Sequence, residues 1–176
     1  MENNYKIRTA KDTDKEQIHR LFRESIAREK RLINPALVHN EFLEEFVDKL
    51  IEKGHMLVVE NHDDELELIG EVHDYCTAEC KEEELALQEI SFFSRVDSNT
   101  AERETTLVNW LFGEIQNKHS NVFRVELNAP VSSTATVDHY KRMGLRVEGN
   151  YQGRLGANPG QFTPFVPLSW TNPSFN

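Results

Sequence analysis

Apolar and polar positions along this chain follow two periods, and the switching between them divides it into helices and strands. Ile18, Leu21, Phe22 and Ile26 fall at i, i+3, i+4 and i+8, the stripe of an amphipathic helix. Asp12-Thr13-Asp14 precedes it and offers side-chain oxygens for the first amides. Leu43, Phe46, Val47, Leu50 and Ile51 repeat the stripe in a second helix. Asn34-Pro35 opens that helix, with proline where its missing N–H costs nothing, and Gly54 closes it as a residue able to take positive φ. Leu107, Trp110, Leu111 and Ile115 predict a third helix from about Thr100 to Lys118. A fourth is capped by Ser132 or Ser133 and ends at Gly144.

The period of two marks the strands. Tyr5 to Thr9 reads as a short first strand, and Met56–Glu60 and Leu66–Tyr75 flank the turn residues Asn61-His62-Asp63-Asp64 as a hairpin. From Leu85 to Ser94, Leu85, Leu87, Glu89, Ser91 and Phe93 lie on one side and Ala86, Gln88, Ile90 and Phe92 on the other. Val122–Leu127 and Leu145–Asn150 are two further strands. Beyond them a turn-rich stretch, Gly153 to Gly160, leads to the apolar segment Phe162–Trp170, which Pro164 and Pro167 are expected to keep irregular or at a sheet edge.

With 176 residues, 38% of them hydrophobic, the chain suits one domain over 1–176 with a real core. A net charge of −10 with dispersed Lys and Arg excludes nucleic acid as a partner. No apolar run approaches the roughly 20 residues that span a bilayer. Met1-Glu2-Asn3-Asn4-Tyr5-Lys6 lacks the apolar core of a secretory signal. A cytoplasmic protein with no membrane partner is the expectation. Cys76 and Cys80 are the only cysteines; with His73 they match no standard zinc spacing, so the expectation is two reduced thiols and no metal.

The order strand, two helices, three strands, helix, strand, helix, strand, together with the closing Tyr140-Lys141-Arg142-Met143-Gly144 and the opening Ile7-Arg8-Thr9-Ala10 with Asp14, Ile18 and Leu21, resembles the GNAT superfamily of N-acetyltransferases. The resemblance implies an α/β fold with a mixed, mostly antiparallel central sheet flanked by helices. Its acyl-CoA-binding half would span about 85–150, and residues 151–176 would form a tail outside the family pattern. It also implies transfer of an acetyl group from acetyl-CoA to the amine of a small molecule or peptide. That chemistry needs a base for the amine proton, a donor for the developing oxyanion and an acid for the leaving thiolate.

By the same resemblance, the strand ending at Phe92-Phe93-Ser94 would pair with the pantetheine arm and splay from Val122–Leu127. Tyr140 matches the residue that protonates the thiolate; its spacing with Val137 and Gly144 also suits a packed aromatic. Glu89 is the first candidate base, Glu71 the second, and either could be an ordinary strand residue. Asn128 and Ser133 stand where the family places polar cofactor contacts, and equally where turn and cap residues belong. The phosphate loop departs from the family: Arg95 to Glu104 contains no glycine, and Glu102 and Glu104 stand where glycines are expected. Their bulk and charge oppose phosphate and favour the helix N-terminus instead. Arg95 and Arg103 are the candidate phosphate contacts in return, while Ser98, Asn99 and Thr100 suit N-caps. An alternative function follows from the departure: a GNAT-like binding or regulatory domain that has lost acetyl-CoA, working as a homodimer.

Overall fold

In a computed structural model of the chain, the described residues are 5–28, 40–75, 86–94, 99–118, 121–130, 134–149, 151–155 and 162–175. Pro35, Cys76, Cys80, Arg95, Ser98, Ser132 and Ser133 lie outside them, so the expectations placed on those residues find no structural counterpart.

The apolar stripes set the layers. Strand β1 (Lys6–Thr9) is followed by one 3-10 turn, Asp12–Asp14, and then by helix α1 (Lys15–Arg28). Helix α2 (Asn40–Glu52) leads into strands β2 (Met56–Glu60) and β3 (Leu66–Tyr75), which pair as the expected hairpin. Gly54 takes φ 69° at the end of α2, as its position predicts. Strand β4 (Ala86–Ser94), helix α3 (Thr100–Asn117), strand β5 (Val122–Pro130), helix α4 (Thr134–Arg142) and the two-residue strand β6 (Arg146–Val147) follow. Gly144 closes α4 with φ 91°.

Strand β2 is buried on both faces, and its side chains alternate between two cores. On one face Ile18, Leu21 and Phe22 of α1 and Leu43, Val47 and Leu50 of α2 cover Met56, Val58 and Ile69. On the other, Leu107, Val108, Leu111, Phe112 and Ile115 of α3 cover Leu57, Leu68, Ile90, Val125 and Leu127. Trp110, expected in the stripe of α3, is only half-buried; Phe112 takes the inner place and stacks on Trp170 with ring centroids 4.1 Å apart. Helix α3 lies so close to β3 that a Cβ on Gly70 would collide with the Cδ2 of Leu107.

The segment after residue 150 corrects the expectation of an irregular or peripheral tail. It forms strands β7 (Tyr151–Leu155) and β8 (Phe162–Thr171), and β8 lies inside the sheet. The order is β1-β2-β3-β4-β5-β8-β6, with β7 pairing β8 beyond β6. Among the described strands only β4 and β5 run parallel; the other pairs are antiparallel. The prolines sit where no ladder N–H is demanded. The Pro167 carbonyl accepts from the Glu148 N–H at 3.0 Å, so the backbone of Pro167 faces the end of the short β6 ladder rather than β5. Pro164 lies past Phe165, the partner of the last residue of β5.

Candidate active site

The parallel ladder of β4 and β5 runs from Ala86–Val122 to Ile90–Leu127. Beyond it β4 continues to Ser94 on the edge of β3, with Phe92 opposite Gly70, Phe93 opposite Ile69 and Ser94 opposite Leu68. The end of β5 turns instead to β8, with Asn128 opposite Pro167 and Ala129 opposite Val166. The two strands therefore diverge into a wedge. Alternate backbone groups of a strand point to opposite edges, so part of the Ser91–Ser94 backbone faces into it.

The candidates divide between the two faces of the sheet at this wedge. On the α3/α4 face, Tyr140 is 2% exposed and stacks on Phe92 with centroids 6.5 Å apart and planes 15° from parallel. The Tyr140 hydroxyl donates to Oε2 of Glu104 at 2.6 Å. On the α1/α2 face, Glu89 is partly buried and accepts a hydrogen bond from Nδ2 of Asn128 at 2.9 Å. Glu71 shares that face, since it pairs with Ser91 while Glu89 pairs with His73, and it is buried at 4% exposure. Glu126, opposite Glu89 in the parallel register, adds a third carboxylate. Of the two candidate bases, Glu89 is the one with exposed surface at the mouth of the wedge.

The phosphate end is built differently from the expectation. Helix α3 starts at Thr100 with Asn99 at the N-cap position, and the Asn99 side chain makes no capping hydrogen bond to it. Glu102 is exposed in the first turn, where its charge opposes a phosphate. Glu104 is not exposed alongside it: it is buried at 4% and accepts the hydrogen bond of the Tyr140 hydroxyl. Arg103 is 1% exposed, and its Nη1 lies 2.6 Å from Oε2 of Glu67 on β3. Its guanidinium is turned into the fold and joined to a carboxylate, an orientation opposite to that expected of a phosphate contact. Phe93 and Ser94 lie on the part of β4 beyond its ladder with β5, opposite Ile69 and Leu68 of β3.

One cluster escaped the sequence reading. Arg8 on β1 joins Asp14 through Nη1 at 2.6 Å and Nη2 at 3.0 Å, and joins Glu60 through Nε at 2.6 Å. Lys6 adds a 3.2 Å bond to Glu60. The Arg8 bonds hold the Asp14 carboxyl below the usual carboxylate range. For Glu60, burial pushes the carboxyl up, but the bonds to Arg8 and Lys6 outweigh it and the net direction is down. The signal available in the sequence was a lone glutamate closing the apolar strand Met56–Glu60.

Solved structures share this fold. A chimera of the Vibrio cholerae spermidine N-acetyltransferase SpeG with hSSAT superposes with a TM-score of 0.75 at 16% identity, covering 98% of each chain. A ribosomal-protein-alanine N-acetyltransferase from Brucella melitensis gives 0.73 at 15% identity, over 94% of this chain and 99% of that one. Salmonella typhimurium yncA, solved with its cofactor acetyl-CoA, gives 0.70 at 13% identity, over 97% and 95%. No family model and no curated protein matches the chain.

Proposed function

Because the chain has the fold of the GNAT N-acetyltransferases, we propose that it is an acetyl-CoA-dependent N-acetyltransferase acting on the amine of a small molecule or peptide. The observation that carries this reading is the wedge between β4 and β5, flanked by a phenol on one face and a carboxylate on the other. An extended arm with amide groups fits the open edge of β4 from Ser91 to Ser94. When bound, acetyl-CoA supplies a thioester carbonyl and, after transfer, a sulfur that needs a proton.

The residues of the chain divide the proton work. Glu89, held by Asn128, takes the proton of the incoming amine on the α1/α2 face, directly or through water. The amine nitrogen bonds to the acetyl carbon as the carbon–sulfur bond breaks. Tyr140 gives its proton to the departing sulfur from the α3/α4 face. A backbone N–H of β4 facing the wedge would donate to the carbonyl oxygen as negative charge develops on it. Like the acetyltransferases it resembles, the chain is given an amine as acceptor. Its acidic balance suits a cationic one.

Calorimetric titration with acetyl-CoA at low and moderate salt, followed by an amine screen for released thiol, tests the proposal. Micromolar binding that weakens with salt, with turnover on some amine, is the expected result. Absence of binding at millimolar acetyl-CoA overturns it. That outcome would favour a second reading, a GNAT-like binding domain without transfer activity, for which exposed Glu102 at the start of α3 and the inward-turned Arg103 speak.

A further inference from the structure

Two consecutive residues of α3 meet two consecutive residues of α4. The Glu104 carboxylate accepts the Tyr140 hydroxyl, and the hydroxyl oxygen of Thr105 meets Nε2 of His139. The two helices are thus tied across the face of the sheet on which Phe92 supports the ring of Tyr140. Stacking fixes the plane of a phenol but leaves it free to slide and leaves its hydroxyl free to rotate. The bond to Glu104 holds the phenol oxygen in one place in the resting chain. It does so with a residue that stands where the family pattern has glycine, so the side chain that departs from the phosphate loop is the one that grips the acid.

Resting on the N-acetyltransferase reading above, we propose that Glu104 is a positioning residue that acts through Tyr140. It fixes where the phenol oxygen stands beside the wedge and touches neither the amine nor the thioester. The proton that reaches sulfur comes from Tyr140, whose hydroxyl turns from Glu104 to the developing thiolate, and the phenolate regains a proton from solvent after the products leave. Positioning matters on this scale because a displacement of about 1 Å at a reacting group can cost roughly 10²-fold in rate.

The test compares three substitutions with the wild-type chain. Glu104→Ala is expected to lower kcat about tenfold or more while KM for acetyl-CoA stays within about threefold. Glu104→Gln, whose amide oxygen accepts the same hydrogen bond, is expected to recover most of the loss. Glu104→Met, similar in size but a poor acceptor, is not. In a Tyr140→Phe background, Glu104→Ala should remove nothing further. A second readout needs no cofactor: with tyrosine labelled at its ring carbon Cζ, the Tyr140 resonance, assigned by its absence in Tyr140→Phe, should move in the Met variant and return in the Gln variant. The proposal is overturned if Met rescues as well as Gln, or if the Tyr140 resonance stays in place when the carboxylate is gone. Should the Ala variant fail to fold, the Gln and Met pair decides alone. Should the wild-type chain acetylate no amine, the acetyltransferase reading falls, and the spectrum still decides whether Glu104 holds Tyr140.

Discussion

Arg8 shows how much one side chain can organise. It is the shared partner of two buried carboxylates, Asp14 and Glu60, which are 5% and 4% exposed. Removing it leaves both carboxylates enclosed, with Lys6 the remaining cation among the ion pairs described for them. Breaking such a pair costs about 3–5 kcal/mol. Arg8→Met should therefore lower the urea midpoint by that amount of stability, whereas Lys6→Met, at a largely exposed cation, should change it by about 1 kcal/mol or less. Tyr140→Phe belongs to the same scale. If Tyr140 is the acid, turnover falls by about 10²-fold or more, and stability falls by only about 1–3 kcal/mol for the lost buried hydrogen bond. Unchanged turnover would remove Tyr140 from the mechanism. These contacts were out of reach of sequence patterns. Glu104 looks like a first-turn acid and Arg103 like a loop cation, because periodicity reports which face of a helix a residue occupies and not what another helix brings to it.

Among the elements, helices α1, α3 and α4 and the β2–β3 hairpin were readable, since each carries its period and its terminal residues locally. Strand β8 was not. Proline content argued for an edge, and the sheet placed the strand between β5 and β6 by putting each proline where the ladder asks for no donor. The match to β5 is made by residues 35 to 47 positions away, which no window along the chain can weigh. Strand β8 also carries Trp170, stacked on Phe112 of α3. Trp170→Ala should cost about 3–5 kcal/mol, read as a lower thermal midpoint, and amides of β8 should exchange as slowly as those of β3. Fast exchange along β8 would contradict its interior position. Gly70→Ala tests the contact between α3 and β3: the added methyl must displace Leu107, at a cost of about 1–3 kcal/mol.

For the whole molecule, charge and architecture meet in the response to acid. Asp14 and Glu60 both titrate below the usual range in the folded chain. Groups of this kind add stability that is complete above their unfolded values, about 4, and that disappears as pH falls through the lower folded values. Stability should accordingly be flat from pH 7 to about 5 and fall below about 4.5. Arg8→Met should flatten that fall, because it removes the main cause of both shifts. A wild-type chain that loses stability between pH 7 and 5 would assign the acid response to other groups. The two cores divide the work that the fold does for the wedge. One carries α1 and α2 against the face of Glu89 and the other carries α3 and α4 against the face of Tyr140, so the candidate base and acid sit on separately packed layers.

The interior position of β8 also bears on how the chain comes to be folded during synthesis. Strand β5 is bordered by β4 on one side and by residues 165–171 on the other. A growing polypeptide that has passed Pro130 holds a strand with one edge open, and residues 35 to 41 positions further on must be made before that edge is covered. Pairings of such long sequence separation form slowly, and an uncovered strand edge invites association with other chains. The interval between translation of β5 and translation of β8 is thus one in which the open edge of β5 is expected to attract a chaperone. Ribosome-bound chains arrested just before Phe162 should be captured by one more readily than chains arrested after Asn172 has cleared the exit tunnel.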